Sequence, residues 1–146
     1  MSEFHLQCAV ADYLEGRVRG TRINSPFPQL RAWTFVANEG RSAADGAKFK
    51  RMGVRRGVSD CLFWWEPHGH GCIELKMPNG VQSGYQKDFQ SKVVDCGFPY
   101  AVCRSVAEVR DTLIAWGLEC TGKNVIEPNH TTKEELYKAQ FNFYKP

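Results

Sequence analysis

Gly57-Val58-Ser59-Asp60-Cys61-Leu62-Phe63-Trp64-Trp65-Glu66-Pro67-His68-Gly69-His70-Gly71-Cys72-Ile73-Glu74-Leu75-Lys76 is the stretch whose reading decides the fold. β-Branched and aromatic residues flank a Pro/Gly cluster, the pattern of two short strands around a turn. With the turn centred on His68 and the strands antiparallel, reflection sets Asp60 opposite Lys76 and Leu62 opposite Glu74. Asp60 and Glu74 are then diagonal neighbours at about 7–8 Å, with Lys76 between them. Side chains alternate along a strand, so Cys61, Phe63, Trp65, Ile73, Leu75 and Met77 share the other face, which is apolar throughout. The hairpin thus buries one side and gathers two carboxylates and an ammonium on the other. A one-residue slip in register would destroy that arrangement.

Upstream, Ser2 caps a helix running to about Leu14, with Leu6, Val10, Tyr13 and Leu14 as its buried stripe. Glu3 lies on the same stripe. It is either a first-turn carboxylate suited to the helix dipole or an acid aimed inward at a metal or a positioned water. Gly16, Gly20, Pro26 and Pro28 mark residues 16–31 as a connection. Ala32-Trp33-Thr34-Phe35-Val36-Ala37 reads as a buried strand ending in the turn Asn38-Glu39-Gly40-Arg41, where Glu39 is a turn carboxylate or a site residue delivered by the strand end. From Ser42 to Gly57 the chain is polar, glycine-punctuated and basic. Lys48, Lys50, Arg51, Arg55 and Arg56 crowd just ahead of Asp60. Such a run is either a solvated face or a flexible loop whose cations hold a phosphate backbone against the carboxylates, a contact that gives sequence-independent affinity.

Downstream, Pro78-Asn79-Gly80 is a turn and Ser83-Gly84-Tyr85-Gln86 a capping box opening a helix to about Cys96, with Tyr85, Phe89, Val93 and Cys96 inward. Gln86 has a structural reason in that box, and a helix start beside Lys76 also places it within reach of a substrate. Gly97 stops the helix. Tyr100-Ala101-Val102-Cys103 is a short apolar strand of a sheet centre, and Ser105 with Glu108 opens a last helix that buries Val106, Val109, Leu113 and Trp116. A helix between two strands is a crossover, so the second hairpin strand and 100–103 run parallel. After Leu118 the character changes. A short helix is expected from about Thr132 to Ala139, and Phe141, Phe143 and Tyr144 are expected to pack on the domain or on a second protomer.

A chain of 146 residues is long enough for one well-buried domain. Its formal charge of +3 is too small to name a polyanionic partner, so local placement of charge has to decide. The six cysteines form no C-x-x-C pair and no even framework, which reads as reduced core residues. Without an apolar leader or a run long enough to span a bilayer, a secreted or membrane protein is disfavoured.

Two acids a few ångströms apart repel each other, and burial raises their pKa values, so their coexistence calls for a divalent cation between them. Carboxylate oxygens suit Mg²⁺ or Mn²⁺. Such an ion activates water and neutralises phosphoryl charge, while Lys76 orients the attacking water or stabilises the pentacovalent transition state. The implied reaction is phosphodiester hydrolysis. Asp-x13-Glu-x-Lys is a weak motif as bare spacing; apolar strands on both sides and the basic run give it weight. Two rivals stand beside it. His68, His70 and Cys72 could build a zinc module, although no second donor pair follows at ligand spacing. A non-catalytic nucleic-acid-binding protein would need only the basic run and stacking aromatics, and would leave the acids unexplained.

Gly57-Val58-Ser59-Asp60, Ile73-Glu74-Leu75-Lys76, Gln86 and the following helix-Gly97-strand-Ser105 pattern resemble the virus-type replication-repair nuclease (VRR-NUC) family of the PD-(D/E)XK superfamily, over about Glu3 to Gly117. The resemblance implies a restriction-endonuclease-like α/β fold with an αβββαβ core, a mixed central sheet flanked by helices. It implies a nuclease domain over 1–117 and an extension over 118–146. Carried over, Asp60, Glu74 and the Leu75 carbonyl bind the metal, Lys76 is catalytic, and Glu3 and Gln86 match the family's helix Glu and Gln. The implied activity is that of a structure-selective DNA endonuclease acting on branched DNA, a Holliday junction or a flap, as a homodimer of a phage or bacterial protein in the host cytoplasm. One departure is visible. The family's usual Pro before the Asp is Ser59, a position that shapes the strand entry without doing chemistry.

Overall fold

The computed structural model describes residues 2–18, 21–22, 25–37 and 42–121. The readings of Glu39 and of the C-terminal helix and rings lie outside the described residues. In chain order the elements are α1 (Glu3–Glu15), β1 (Arg17–Val18), β2 (Thr21–Arg22), β3 (Leu30–Phe35), α2 (Ala43–Arg51), β4 (Cys61–Trp65), β5 (Gly69–Leu75), α3 (Gly84–Asp95), β6 (Tyr100–Cys103) and α4 (Val106–Ala115). The main sheet has the order β3-β4-β5-β6, antiparallel at its first two pairings and parallel between β5 and β6. A mixed sheet flanked by helices is therefore present, and the crossover through α3 makes the parallel pair.

The odd-numbered residues of the hairpin face the core. Cys61, Phe63, Ile73 and Leu75 cluster with Leu6, Val10, Tyr13 and Leu14 of α1 and with Val109 and Leu113 of α4. Full burial of a side chain such as Phe63 or Leu75 contributes about 1.5–3 kcal/mol, so this face fixes the register. Leu118 is buried in the same cluster, and the chain after it is tied back by Glu119 N donating to Gln29 Oε1 and Thr121 N donating to the Pro26 carbonyl. All six cysteines are free; Cys61, Cys72 and Cys103 are buried as core residues, whereas Cys96 is exposed.

The hairpin turn sits one residue earlier than the sequence reading places it. Cys61 pairs with Ile73, Phe63 with Gly71 and Trp65 with Gly69, a reflection about Pro67. Continued by one pair, this register sets Asp60 opposite Glu74, where the sequence reading sets Lys76. Moving the centre by one residue moves each partner by two, so the alternation of faces survives. The physical cause lies in Gly69 and Gly71, which look like turn residues but belong to β5. A Cβ on Gly69 would lie 2.1 Å from the Trp65 indole and one on Gly71 2.6 Å from the Trp116 ring, so close aromatic approach, and not a turn, requires them.

Four further expectations are corrected. Among the described residues β3 is an edge strand with Ala32 and Thr34 exposed, not a buried one, because β4 alone pairs with it there. β6 is likewise an edge and not a sheet centre. The connection over 16–31 contains the small β1–β2 hairpin. The basic loop contains α2, nucleated where the Ser42 hydroxyl accepts from Asp45 N at 3.2 Å, a helix with no buried residue.

Candidate active site

Asp60 immediately precedes β4, where its carbonyl accepts from Val36 N at 2.8 Å. That tie to the end of β3 turns its side chain across the hairpin, and Oδ2 accepts from the Leu75 backbone N–H at 2.7 Å. Glu74, near the end of β5, is 0% exposed. Lys76 follows the strand; its N–H donates to the Cys103 carbonyl at 3.0 Å, so β6 extends the hold one residue past β5. The Lys76 ammonium lies 2.7 Å from Glu74 Oε1 and 3.2 Å from Glu3 Oε1.

Gln86 completes the hold on Glu74. On α3 the half-buried positions are Gln86, Phe89, Gln90 and Val93, while Tyr85 and Cys96 face outward. Of the expected stripe Phe89 and Val93 hold, whereas Gln86 takes the place expected for Tyr85 and Cys96 faces outward. Ser83 N donates to Gln86 Oε1 at 2.8 Å, and the other end of the same amide, Nε2, donates to Glu74 Oε1. The capping box sets the orientation of the amide that grips the acid, so the structural reason for Gln86 is present and the same side chain also contacts Glu74. Glu3 occupies the first turn of α1, and its exposed carboxylate pairs with Lys76.

Glu74 Oε2 is buried and has no hydrogen-bond partner among the described residues. An unsatisfied buried oxygen costs about 1–3 kcal/mol. Burial pushes the Glu74 carboxyl up to about 7; the Lys76 hydrogen bond opposes this and the neighbouring Asp60 charge adds to it. Asp60 is also raised, chiefly by burial, with the Leu75 N–H and Lys76 pulling it back. Burial works to lower the Lys76 value, but Glu74 and Glu3 together outweigh it and hold the ammonium charged.

A tight backbone approach brings the loop before Asp60 onto α3. Gly57 has φ +80°, and a Cβ there would lie 2.3 Å from the Tyr85 carbonyl carbon and oxygen and 2.8 Å from Gln86 N. We expect Gly57→Ala to lower stability by about 2 kcal/mol, because both the conformation and the contact are denied to alanine. Urea unfolding measures it; an unchanged midpoint would show that position 57 does not press on α3.

The structure therefore brings together Asp60, Glu74, the Leu75 backbone, Lys76, Glu3 and Gln86. The basic residues divide. Lys48, Lys50 and Arg51 are exposed on the last turn of α2, and Arg55 and Arg56 are exposed in the following segment. The Arg56 guanidinium lies 5.5 Å from the centre of the Tyr85 ring, next to Gln86 in sequence. Ser59, standing where the resembling family has proline, is fully buried, with its hydroxyl donating to the Cys61 carbonyl at 3.3 Å. The zinc reading finds no donor cluster: no group of three metal-binding side chains forms among the described residues.

Sequence reasoning missed Arg104. Its Nη1 donates to the Met77 carbonyl at 2.6 Å and the Gly80 carbonyl at 2.9 Å, pinning the turn that follows Lys76. A cation ending an apolar strand carries no signal of this, since it reads equally well as a solvated end.

Comparison with known proteins places this geometry. The family model of the VRR-NUC domain matches residues 21–107. A solved structure described as a VRR_NUC domain protein shares the fold, with a TM-score of 0.57 at 18% sequence identity over 80% of this chain and 88% of that one. No match is found among curated protein sequences. Among the described residues no helix is long and apolar enough to cross a membrane. The family match spans more than half of the chain and contains Asp60, Glu74, Leu75, Lys76 and Gln86, and on that basis the chain belongs to the VRR-NUC domain family.

Proposed function

We propose that this chain is a metal-dependent endodeoxyribonuclease that hydrolyses phosphodiester bonds in branched DNA, a Holliday junction or a flap. One observation carries the reading: the Glu74 carboxyl is fully buried next to Asp60, with one oxygen gripped by Lys76 and Gln86 and the other without a hydrogen-bond partner among the described residues. A fold that needed only stability would not retain that oxygen unsatisfied. A cation offsets it. The donors are hard oxygens, which fit Mg²⁺ or Mn²⁺. Asp60, Glu74 and the Leu75 carbonyl would hold the ion. No third acid or histidine joins them among the described residues, which leaves the other positions to water and a substrate phosphate, the usual habit of Mg²⁺. Bound there, the ion would lower the pKa of water and neutralise phosphoryl charge.

The chain's own groups supply the rest. Lys76, only 13% exposed and charged, donates to the attacking water or to the phosphoryl oxygen whose charge grows in the transition state. Glu3 fixes where that ammonium sits, and Gln86 fixes the rotamer of Glu74. Lys48, Lys50, Arg51, Arg55 and Arg56 supply phosphate contacts, which position DNA without reading its bases. Two copies of the chain, one for each strand, would suit a two-fold junction.

The test is cleavage of a labelled four-way junction, a 5′ flap and plain duplex, with Mg²⁺, with Mn²⁺ and with chelator, by wild type and by Asp60→Asn. Metal-dependent cutting of the branched substrates, lost in Asp60→Asn with binding retained, is expected. Binding with no metal-dependent cutting by the wild type would instead identify a non-catalytic nucleic-acid-binding protein.

A further inference from the structure

We infer that Tyr85 and Arg56 act as one gripping element at the rim of the site, Arg56 taking a phosphate of the bound DNA strand and Tyr85 serving as the positioning residue that aims it. This rests on the nuclease reading above and adds to it a residue with no assigned role. Tyr85 is 59% exposed although it lies in the first turn of a helix whose inner stripe starts one residue later, so packing does not account for the ring. The Arg56 guanidinium lies over it at 5.5 Å. Among the described residues no carboxylate pairs with Arg56. A guanidinium laid on a ring face keeps its N–H donors directed outward in its own plane, free for the oxygens of a phosphate, so stacking and phosphate binding are compatible in arginine as they are not in lysine.

Two separate ties hold this pair to the reacting groups. Behind Arg56, Gly57 presses its bare Cα against the Tyr85 carbonyl, and Asp60 follows three residues later. Beyond Tyr85, Gln86 is fixed by Ser83 on one side and by Glu74 on the other. These ties fix the backbone that carries the ring and the guanidinium relative to the carboxyls. The lysines and arginine on α2 are exposed on a helix with no fully buried residue. A phosphate held by Arg56 is set in register with Glu74; a phosphate held by α2 is merely kept nearby.

The experiment measures binding of a fluorescent four-way junction in chelator, so that cleavage plays no part, from about 50 to about 200 mM salt. Arg56→Ala is expected to reduce the slope of log affinity against log salt by about 0.9, the share of one phosphate contact. Tyr85→Ala should weaken binding about threefold or more, and adding it to Arg56→Ala should cause no further loss, because the ring acts only through the guanidinium. Tyr85→Phe should restore wild-type binding. A contact serving stability alone would shift the melting temperature of these variants and leave the salt slope where it was. An unchanged slope in Arg56→Ala, additive losses in the double variant, or failure of Tyr85→Phe to rescue would each overturn the inference while leaving the nuclease reading standing. A wild-type protein that binds no junction would overturn both.

Discussion

Replacing Lys76 with alanine is expected to slow cleavage by roughly 10²–10³-fold, the usual cost of removing one preorganised donor from a developing negative charge. The loss should fall on kcat, with KM little changed, because on the proposed reading DNA is held by the exposed cations of α2 and the segment after it while Lys76 is nearly enclosed. The fold should survive. Without its cation Glu74 would have to stay ionised in a dry pocket, but its carboxyl already titrates at about 7, and Lys76 is the group that was holding it down. In the variant the acid takes up a proton and remains as a neutral carboxyl. Single-turnover cleavage of a junction at saturating protein is the measurement, and a variant retaining half of the wild-type rate would remove Lys76 from the chemistry.

Glu74→Gln should have opposite effects on activity and on stability. Cleavage is expected to vanish, since the replacement keeps the acceptor for Lys76 and Gln86 but removes the charge. Stability of the metal-free protein should rise at pH 8. A carboxyl raised from 4.5 in the unfolded chain to about 7 in the folded one binds its proton more tightly when folded. Its favourable contribution is complete below about pH 4.5 and is lost as pH rises through 7. At pH 8 the wild type therefore bears a penalty on the order of 3 kcal/mol that glutamine escapes. Denaturant unfolding at pH 8 and pH 4 checks it: the variant should be the more stable protein at pH 8, and the gap should close toward pH 4. A gap of the same size at both values would show that the acid is not held protonated by burial.

The two-faced hairpin was legible because alternation along a strand depends only on parity. Shifting the turn from His68 to Pro67 changed every partner and left Asp60, Glu74 and Lys76 on one side. Ser2, Ser83 and Ser105 announced three helices through their caps, a local chemistry that distant contacts do not disturb. Position within the sheet was not legible. An apolar run such as Tyr100–Cys103 does not say whether one strand or two will lie beside it, and both this run, read as a sheet centre, and the run from Ala32, read as a buried strand, are edges among the described residues. The face of α3 was misjudged by one residue because Tyr85 is the more apolar choice, whereas Gln86 is the one with a buried partner. The dual service of Glu3 and Gln86 also needed coordinates. Each has a sufficient local reason to exist, and only the third dimension adds the second.

The amide of Lys76 is received by Cys103, and β5 has β6 as its second neighbour. A chain emerging from the ribosome lacks that support until well past the segment that carries the acids. On the nuclease reading, a copy that has not yet docked β6 would hold Lys76 without its Cys103 tie.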